Sequence, residues 1–101
     1  MTDFEEFKTK AKAVWSDFAS MENFTGVAAP RLVKFAHVSA KQRLLDVAGG
    51  TGVVALTAAR TGAKVTGSDL TPELVKRAKE NNGIFNSNVE FHEADVEDLP
   101  F

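Results

Sequence analysis

The sequence predicts an α/β fold in which parallel strands alternate with helices, and three observations support it. Residues 44–48 are a short apolar run with one acid, which is typical of a buried parallel strand. Gly49, Gly50 and Gly52 then permit a tight turn that leaves room for a ligand beside the backbone. Residues 53–60, rich in Ala and Leu, predict a helix. The order strand, glycine-rich turn, helix is typical of the start of nucleotide-binding α/β domains.

Two helices are expected ahead of this unit. Residues 2–20 carry aromatic and aliphatic side chains at helical intervals, and Thr2 with Glu5 has the spacing of a capping box. The second helix is expected to begin between Gly26 and Pro30, because proline is acceptable in a first turn. The residues just before it are then a polar connector.

The chain after the first helix of this unit predicts two further strands. Gly62 has the position of a left-handed residue that ends a helix, and residues 65–68 form the second predicted strand. Thr71 is the expected N-cap of the next helix, and Gly83 is its expected end. Residues 89–94 alternate apolar and polar side chains, which is typical of a strand at the edge of a sheet.

Composition narrows the classes of function. The net charge is −2 and the sequence has no basic stripe, so we expect no nucleic-acid partner. The sequence has no cysteine and no His, Asp and Glu cluster with metal-ligand spacing, so no metal site is predicted. His37 and His92 are interpreted as surface histidines rather than catalytic bases. The N-terminus resembles neither a signal nor a transit peptide, and the apolar runs are too short to span a membrane. A cytoplasmic protein is expected.

Two classes of ligand compete for the glycine-rich turn. Residues 50–55 fit the dinucleotide pattern G-x-G-x-x-G/A, and Asp69 lies about 20 residues on, where that pattern places a ribose-binding acid. One hypothesis is therefore an NAD(P)-binding oxidoreductase domain. However, the carboxylate of Asp46, just ahead of the turn, would repel a pyrophosphate by several kcal/mol, on the order of Coulomb energies in a poorly solvated cleft. It would attract the ammonium and sulfonium groups of S-adenosylmethionine (SAM), so charge favours SAM.

Residues 44–52, Leu-Leu-Asp-Val-Ala-Gly-Gly-Thr-Gly, resemble motif I of the class I SAM-dependent methyltransferases. The form Ala-Gly-Gly-Thr-Gly is similar to that of the UbiE-like, type 11 small-molecule methyltransferases. Ala48 stands where the family pattern has its first glycine, and UbiE-like members share this departure. Residues 65–72 resemble the second strand with its ribose acid, and residues 94–101 resemble the adenine-binding segment. The resemblance covers about residues 40–101 and implies a partial Rossmann-like methyltransferase fold.

The resemblance also implies roles for single residues. Asp46 would favour the ammonium end of SAM, and the backbone of the glycine turn would approach the methionine portion. Asp69 would bind the ribose, Asp95 would accept a hydrogen bond from the adenine amino group, and the backbone N–H of Val96 would meet a ring nitrogen. The predicted cofactor-binding residues are Asp46, Ala48, Gly49, Gly50, Gly52, Asp69, Leu70, Asp95 and Val96.

By this resemblance the chain would be the N-terminal half of a methyltransferase with a small-molecule acceptor. Residues 1–39 would form a helical lid or cap, with Trp15 or Phe18 lining the pocket, and residues 40–101 would form the SAM-binding half-domain. Acceptor-binding residues usually belong to the second half, so no catalytic residue is named and the isolated chain is expected to be inactive. A non-catalytic binding or assembly module of the same fold remains an alternative.

The first strand is central in the family's sheet, and its second neighbour would come from the other half. Backbone groups and apolar surface of Leu44, Leu45 and Val47 would therefore be uncovered in this chain. We expect the chain to self-associate through that edge or to be poorly soluble.

Overall fold

The structure is a computed structural model that describes residues 3–16 and 22–101. Its three strands form one parallel sheet in the order β1-β2-β3. This order confirms the α/β class and, within the described residues, the edge position of the third strand. The elements in chain order are α1 (Asp3–Trp15), α2 (Glu22–Phe35), β1 (Arg43–Val47), α3 (Val53–Ala59), β2 (Lys64–Asp69), α4 (Pro72–Ile84) and β3 (Glu90–Glu93).

The main apolar core is built by α3, packed against β2 and covered by α2. Ala55 and Ala58 of α3 have no exposed surface, and their small side chains let the helix approach the sheet closely. Val65 of β2, Val33 of α2 and Val89 ahead of β3 complete the cluster. The short helix after the glycine turn is therefore fixed by burial on both sides.

Phe91 of β3 explains two of the glycines. A Cβ atom placed on Gly52 would lie 2.6 Å from the Phe91 ring, and one placed on Gly67 would lie 2.7 Å from it. Burying a phenylalanine side chain is worth about 1.5–3 kcal/mol, so this close approach contributes to the stability of the sheet. The two glycines thus make space for an aromatic ring.

The prediction for the start of α2 is wrong, because the helix begins at Glu22 and Pro30 lies inside it. The Glu22 carboxylate accepts hydrogen bonds from Arg77 and Asn81 of α4, which hold the first turn in place. Ala29, also in the predicted connector or first turn, is buried. Tertiary contacts therefore outweigh the preference of proline for a first turn.

The predicted helix ends are confirmed in one case and wrong in another. Gly62 is left-handed, with φ of +91°, and its N–H donates to the Ala59 carbonyl as expected of a helix end. Gly83, by contrast, lies within α4, which continues to Ile84. Asn86 takes the left-handed conformation there instead, with φ of +51°, which asparagine tolerates better than most residues.

The first helix agrees with its prediction over the described residues, where it covers Asp3–Trp15. Thr2 of the predicted capping box and residues 17–20 of the predicted helix lie outside the described residues. Of the helices that the structure describes, none combines the length and apolar character needed to cross a membrane.

Candidate functional site

A cleft of about 550 Å³ opens at the carboxyl ends of β1 and β2, within the size range of small-molecule sites. Its floor is the glycine turn, and its walls come from the end of β2, the segment after β3, and the helices α1 and α2. Parallel sheets bind ligands at this end. The predicted residues that line the cleft are Asp46, Ala48, Gly49, Gly50, Asp69, Leu70 and Val96.

The turn between β1 and α3 has an unusual backbone. Ala48 is left-handed, with φ of +56°, followed by Gly50 and Gly52 with φ of +60° and +86°. A left-handed conformation costs a residue with a Cβ about 1–2 kcal/mol, a cost that glycine avoids. Ala48 therefore holds a strained backbone at the cleft, where such strain commonly marks a functional turn.

Asp69, at the end of β2, fastens the turn to the start of α4. Its Oδ2 atom accepts a hydrogen bond from the Gly50 N–H at 2.9 Å, and its Oδ1 atom accepts one from the Thr71 N–H at 2.9 Å. A carboxylate has about four acceptor positions, so the side chain keeps capacity for further donors, such as the two hydroxyls of a ribose.

Asp46 is the most informative group in the cleft. Its Oδ2 atom is buried and has no hydrogen-bond partner within the described residues. Burial raises the pKa of the Asp46 carboxyl, a backbone hydrogen bond from Ala55 opposes this, and the charge of Asp69 raises the pKa further. A buried acceptor without a partner is costly and calls for a donor, and a cationic donor would also neutralise the charge.

Gly52 and Asp95 do not line the cleft, although both were predicted to bind the cofactor. Gly52 is the N-cap of α3 and packs against the Phe91 ring. The Asp95 carboxylate forms an ion pair with Lys8 of α1, and its Oδ1 atom accepts a hydrogen bond from the Glu97 N–H at 2.9 Å. Lys8 thereby lowers the pKa of Asp95, and Asp95 raises the pKa of Lys8.

Helix α1 covers one side of the cleft and contributes Ala11, Lys12 and Trp15 to its lining. No residue of this helix is buried among those described, and the Ser16 hydroxyl just after it donates a hydrogen bond to Glu73 of α4 at 2.8 Å. Beyond the Lys8 ion pair, Lys12 lies 3.9 Å from Glu93 of β3. Trp15 lines the cleft, and Phe18 lies outside the described residues.

Several lining residues were not predicted from the sequence, among them Lys12, Glu22 and Thr25. Lys12 could have been found from its place one turn before Trp15 on the same helix. Glu22 gave no local signal, because its position depends on partners in α4. Within residues 3–16 and 22–101, no group of three or more His, Cys, Asp or Glu side chains could hold a metal ion.

Comparison with known proteins connects this geometry to a family. The family model described as "Methyltransferase domain" matches residues 44–101, from β1 to the last residue. An uncharacterized protein of Mycobacterium bovis is 38% identical over 96 residues, which cover 92% of this chain and 35% of the relative. The demethylmenaquinone methyltransferase of Chlorobaculum parvum is 42% identical over 76 residues, covering 74% of this chain and 30% of the relative.

A solved structure is similar as well. The RNA methyltransferase from Salinibacter ruber, in complex with S-adenosyl-L-homocysteine, superposes with a TM-score of 0.63 at 33% identity. The match covers 71% of this chain and 49% of that one. This chain thus spans about a third of the length of the curated relatives it matches.

Proposed function

The chain belongs to the family of class I methyltransferase domains, and from this premise we propose that it carries the SAM-binding half of a SAM-dependent methyltransferase. The observation that carries the proposal is that Asp46 lines the cleft and that its buried Oδ2 atom has no partner within the described residues. The ammonium group of SAM is a charged donor of the kind that this atom lacks.

The charge of the cleft supports SAM over NAD(P). Asp46 and Asp69 both line it, and burial, with a smaller contribution from the charge of Asp69, already raises the pKa of Asp46. A pyrophosphate would add negative charge to this pair, whereas the ammonium and sulfonium groups of SAM would relieve the repulsion. The NAD(P)-binding oxidoreductase domain is therefore the weaker alternative.

The proposed contacts follow the elements that form the cleft. The backbone from Ala48 to Gly50 would face the methionine portion, and Asp69 would accept the ribose hydroxyls with its remaining lone pairs. Val96 would offer its backbone N–H to the adenine. The Asp95 carboxylate is engaged by Lys8, so an adenine amino group would have to share or replace that ion pair.

Bound SAM supplies an electrophilic methyl group. The chain's own residues would bind the ligand, orient it and exclude water, with Trp15 and Val96 as apolar parts of the wall. We name no catalytic residue. In this proposal, residues 1–39 are the cap region, residues 40–101 are the SAM-binding half-domain, and the isolated chain does not transfer methyl groups.

We propose a small-molecule acceptor and a cytoplasmic location. The net charge of −2 and the lack of a basic stripe support a small acceptor over a nucleic acid. The named relatives point in both directions, since one is a demethylmenaquinone methyltransferase and another an RNA methyltransferase. A full-length protein that binds SAM but methylates no acceptor would favour the alternative of a non-catalytic binding or assembly module.

Thermal unfolding with added ligands tests the cofactor. Ligand at 100 times its Kd stabilises a folded protein by about 2.7 kcal/mol. SAM and S-adenosylhomocysteine are expected to raise the melting temperature of the chain, and NADH at the same concentration is not. A larger shift with NADH than with SAM would support the oxidoreductase alternative instead.

A further inference from the structure

We propose that Asn81 of α4, which is held by Glu22 of α2, positions the glycine turn for ligand binding without itself touching the ligand. This inference rests on the proposed function, because it concerns the shape of the same cleft. Neither the glycine pattern nor the helix pattern in the sequence assigns these two residues a role.

Asn81 is only 7% exposed, and its side-chain amide bridges two elements. The Nδ2 atom donates to the carbonyl oxygen of Thr51 at 3.2 Å and to the Oε2 atom of Glu22 at 3.0 Å. Thr51 is the residue between Gly50 and Gly52, and it is itself buried. The amide group therefore uses both of its protons, one of them on the turn.

Glu22 completes the connection from α2. Its Oε1 atom accepts a hydrogen bond from the Arg77 guanidinium at 2.8 Å. Hydrogen bonds from Arg77, and further from the Thr51 hydroxyl and from Asn81, lower the pKa of Glu22, so the carboxylate stays ionised at neutral pH. One ionised group thus joins the first residue of α2, the helix α4 and the turn.

The turn is consequently held at two successive residues by different elements. Asp69 of β2 accepts the hydrogen bond of the Gly50 N–H, while Asn81 satisfies the Thr51 carbonyl. Gly50 has a left-handed φ and no Cβ to restrict it, so its backbone depends on such external contacts. Loss of the Asn81 contact should loosen the turn while Asp69 and Asp46 are still present.

The next residue, Asn82, provides a matched control. Its side-chain amide also makes two hydrogen bonds, donating to the Val89 carbonyl at 3.0 Å and accepting from the Val89 N–H at 3.2 Å. These bonds join α4 to the start of β3, and neither residue lines the cleft. An effect that follows only from lost stability should appear in both Asn81→Ala and Asn82→Ala.

The first test is amide hydrogen exchange by NMR in the unliganded chain. Relative to the slowest core amides of the same variant, Asn81→Ala is expected to speed exchange at the Gly50 and Gly52 N–H groups by about tenfold. Asn82→Ala should instead speed exchange at Val89. Glu22→Gln, which keeps one of the two acceptor oxygens, should retain more protection than Glu22→Ala, and this pair also decides the question if Asn81→Ala fails to fold.

The second test is the affinity for S-adenosylhomocysteine at a temperature where both variants are folded. Asn81→Ala is expected to weaken binding about tenfold, and Asn82→Ala to leave it unchanged. Equal exchange at Gly50 in the two asparagine variants would overturn the positioning role. Absence of binding by the unaltered chain would count against the proposed function, and the exchange rates at Gly50 would still decide the role of Asn81.

Discussion

A Cβ atom placed on Gly49 would lie 2.5 Å from the Oδ2 atom of Asp46 and 2.9 Å from its Cγ atom. The Asp46 carboxylate therefore fills the space that any side chain at residue 49 would need. Gly49 is not left-handed in this turn, unlike Gly50 and Gly52, so its requirement is for space. The first glycine after the strand makes room for the acid that faces the cleft.

Replacing Asp46 should stabilise the unliganded chain. Burial raises the pKa of this acid above its unfolded value, so its ionisation favours the unfolded state. The destabilisation is absent at a pH below the pKa that Asp46 has in the unfolded chain. It is complete at a pH above the raised pKa that Asp46 has in the folded chain. Asparagine removes the buried charge, and each kcal/mol of stability gained corresponds to about 4–8 °C in melting temperature.

Calorimetric melting of Asp46→Asn at neutral and at acidic pH measures this effect. The variant should melt several degrees above the unaltered chain at neutral pH, and the difference should shrink as the pH falls toward the unfolded value. A lower melting temperature for the variant at neutral pH would contradict the assignment of Asp46 as a destabilising, ligand-directed acid.

Gly49→Ala should destabilise the chain, because the new methyl group collides with the Asp46 carboxylate. Gly83→Ala is the matched control, since a Cβ there meets nothing within 4 Å and the residue lies inside α4. Alanine is favoured over glycine in a helix by about 0.5–1 kcal/mol, so the control should be neutral or stabilising. Urea unfolding of both variants tests the contrast, and equal stabilities would exclude the steric explanation.

The segment from β1 to Gly62 could be predicted because the signals for its elements lie close together in the sequence. The apolar run, the glycines and the left-handed residue after α3 are local signals, and the structure has them where they were expected. The start of α2 could not be predicted in this way. Glu22 is fixed by Arg77 and Asn81, which lie 55 and 59 residues further along the chain.

The same distinction between local signals and long-range contacts applies to the candidate site. Asp46 and Asp69 flank local turns, and the direction of a parallel sheet brings them to one edge. The surroundings of Asp95 depend on Lys8, which is 87 residues away in the sequence. The periodicity of the sequence cannot predict an ion pair between residues so far apart. Gly52 fits the ligand-binding pattern in the sequence, but in the structure its lack of a side chain makes space for the Phe91 ring. Phe91 reaches this position only in the folded sheet.

Lys8 should control the docking of α1 on the cleft. Lys8→Met removes the ion pairs with Asp95 and Glu97, and no buried side chain of α1 replaces them among the described residues. The fluorescence of Trp15, the single tryptophan of the chain, reports the position of the helix. The emission should shift in Lys8→Met, while Lys10→Met, on the same helix and exposed, should leave it unchanged.

The same signal should depend on salt and pH in the unaltered chain. Salt screens exposed ion pairs, so high ionic strength should imitate Lys8→Met. Lys8 lowers the pKa of Asp95 in the folded chain. The ion pair should therefore be complete at a pH above the ordinary pKa of an aspartate, and it should be lost as the pH falls through the lowered pKa. If the Trp15 emission changes neither with salt nor in Lys8→Met, other contacts hold α1.

Strand β1 should mediate self-association of the chain. Within the described residues β1 pairs only with β2, and Leu45 is 42% exposed, so its other edge offers free backbone groups and apolar surface. Sedimentation should show concentration-dependent association that Leu45→Lys reduces. Leu32→Lys, at an exposed site on α2, is the control. A chain that stays monomeric at every concentration would refute this prediction.

Calorimetric titration tests the central proposal most directly. SAM, S-adenosylhomocysteine and NADH are each titrated into the unaltered chain, the Asp46→Asn variant and the Asp98→Asn variant. Asp98 is an exposed acid outside the cleft, so its variant makes the same change of charge elsewhere. We expect SAM and S-adenosylhomocysteine to bind and NADH not to bind. Asp46→Asn should weaken binding at least tenfold, about 1.4 kcal/mol, although it stabilises the fold, and Asp98→Asn should not. Full affinity in Asp46→Asn, or binding of NADH in preference to SAM, would contradict the account.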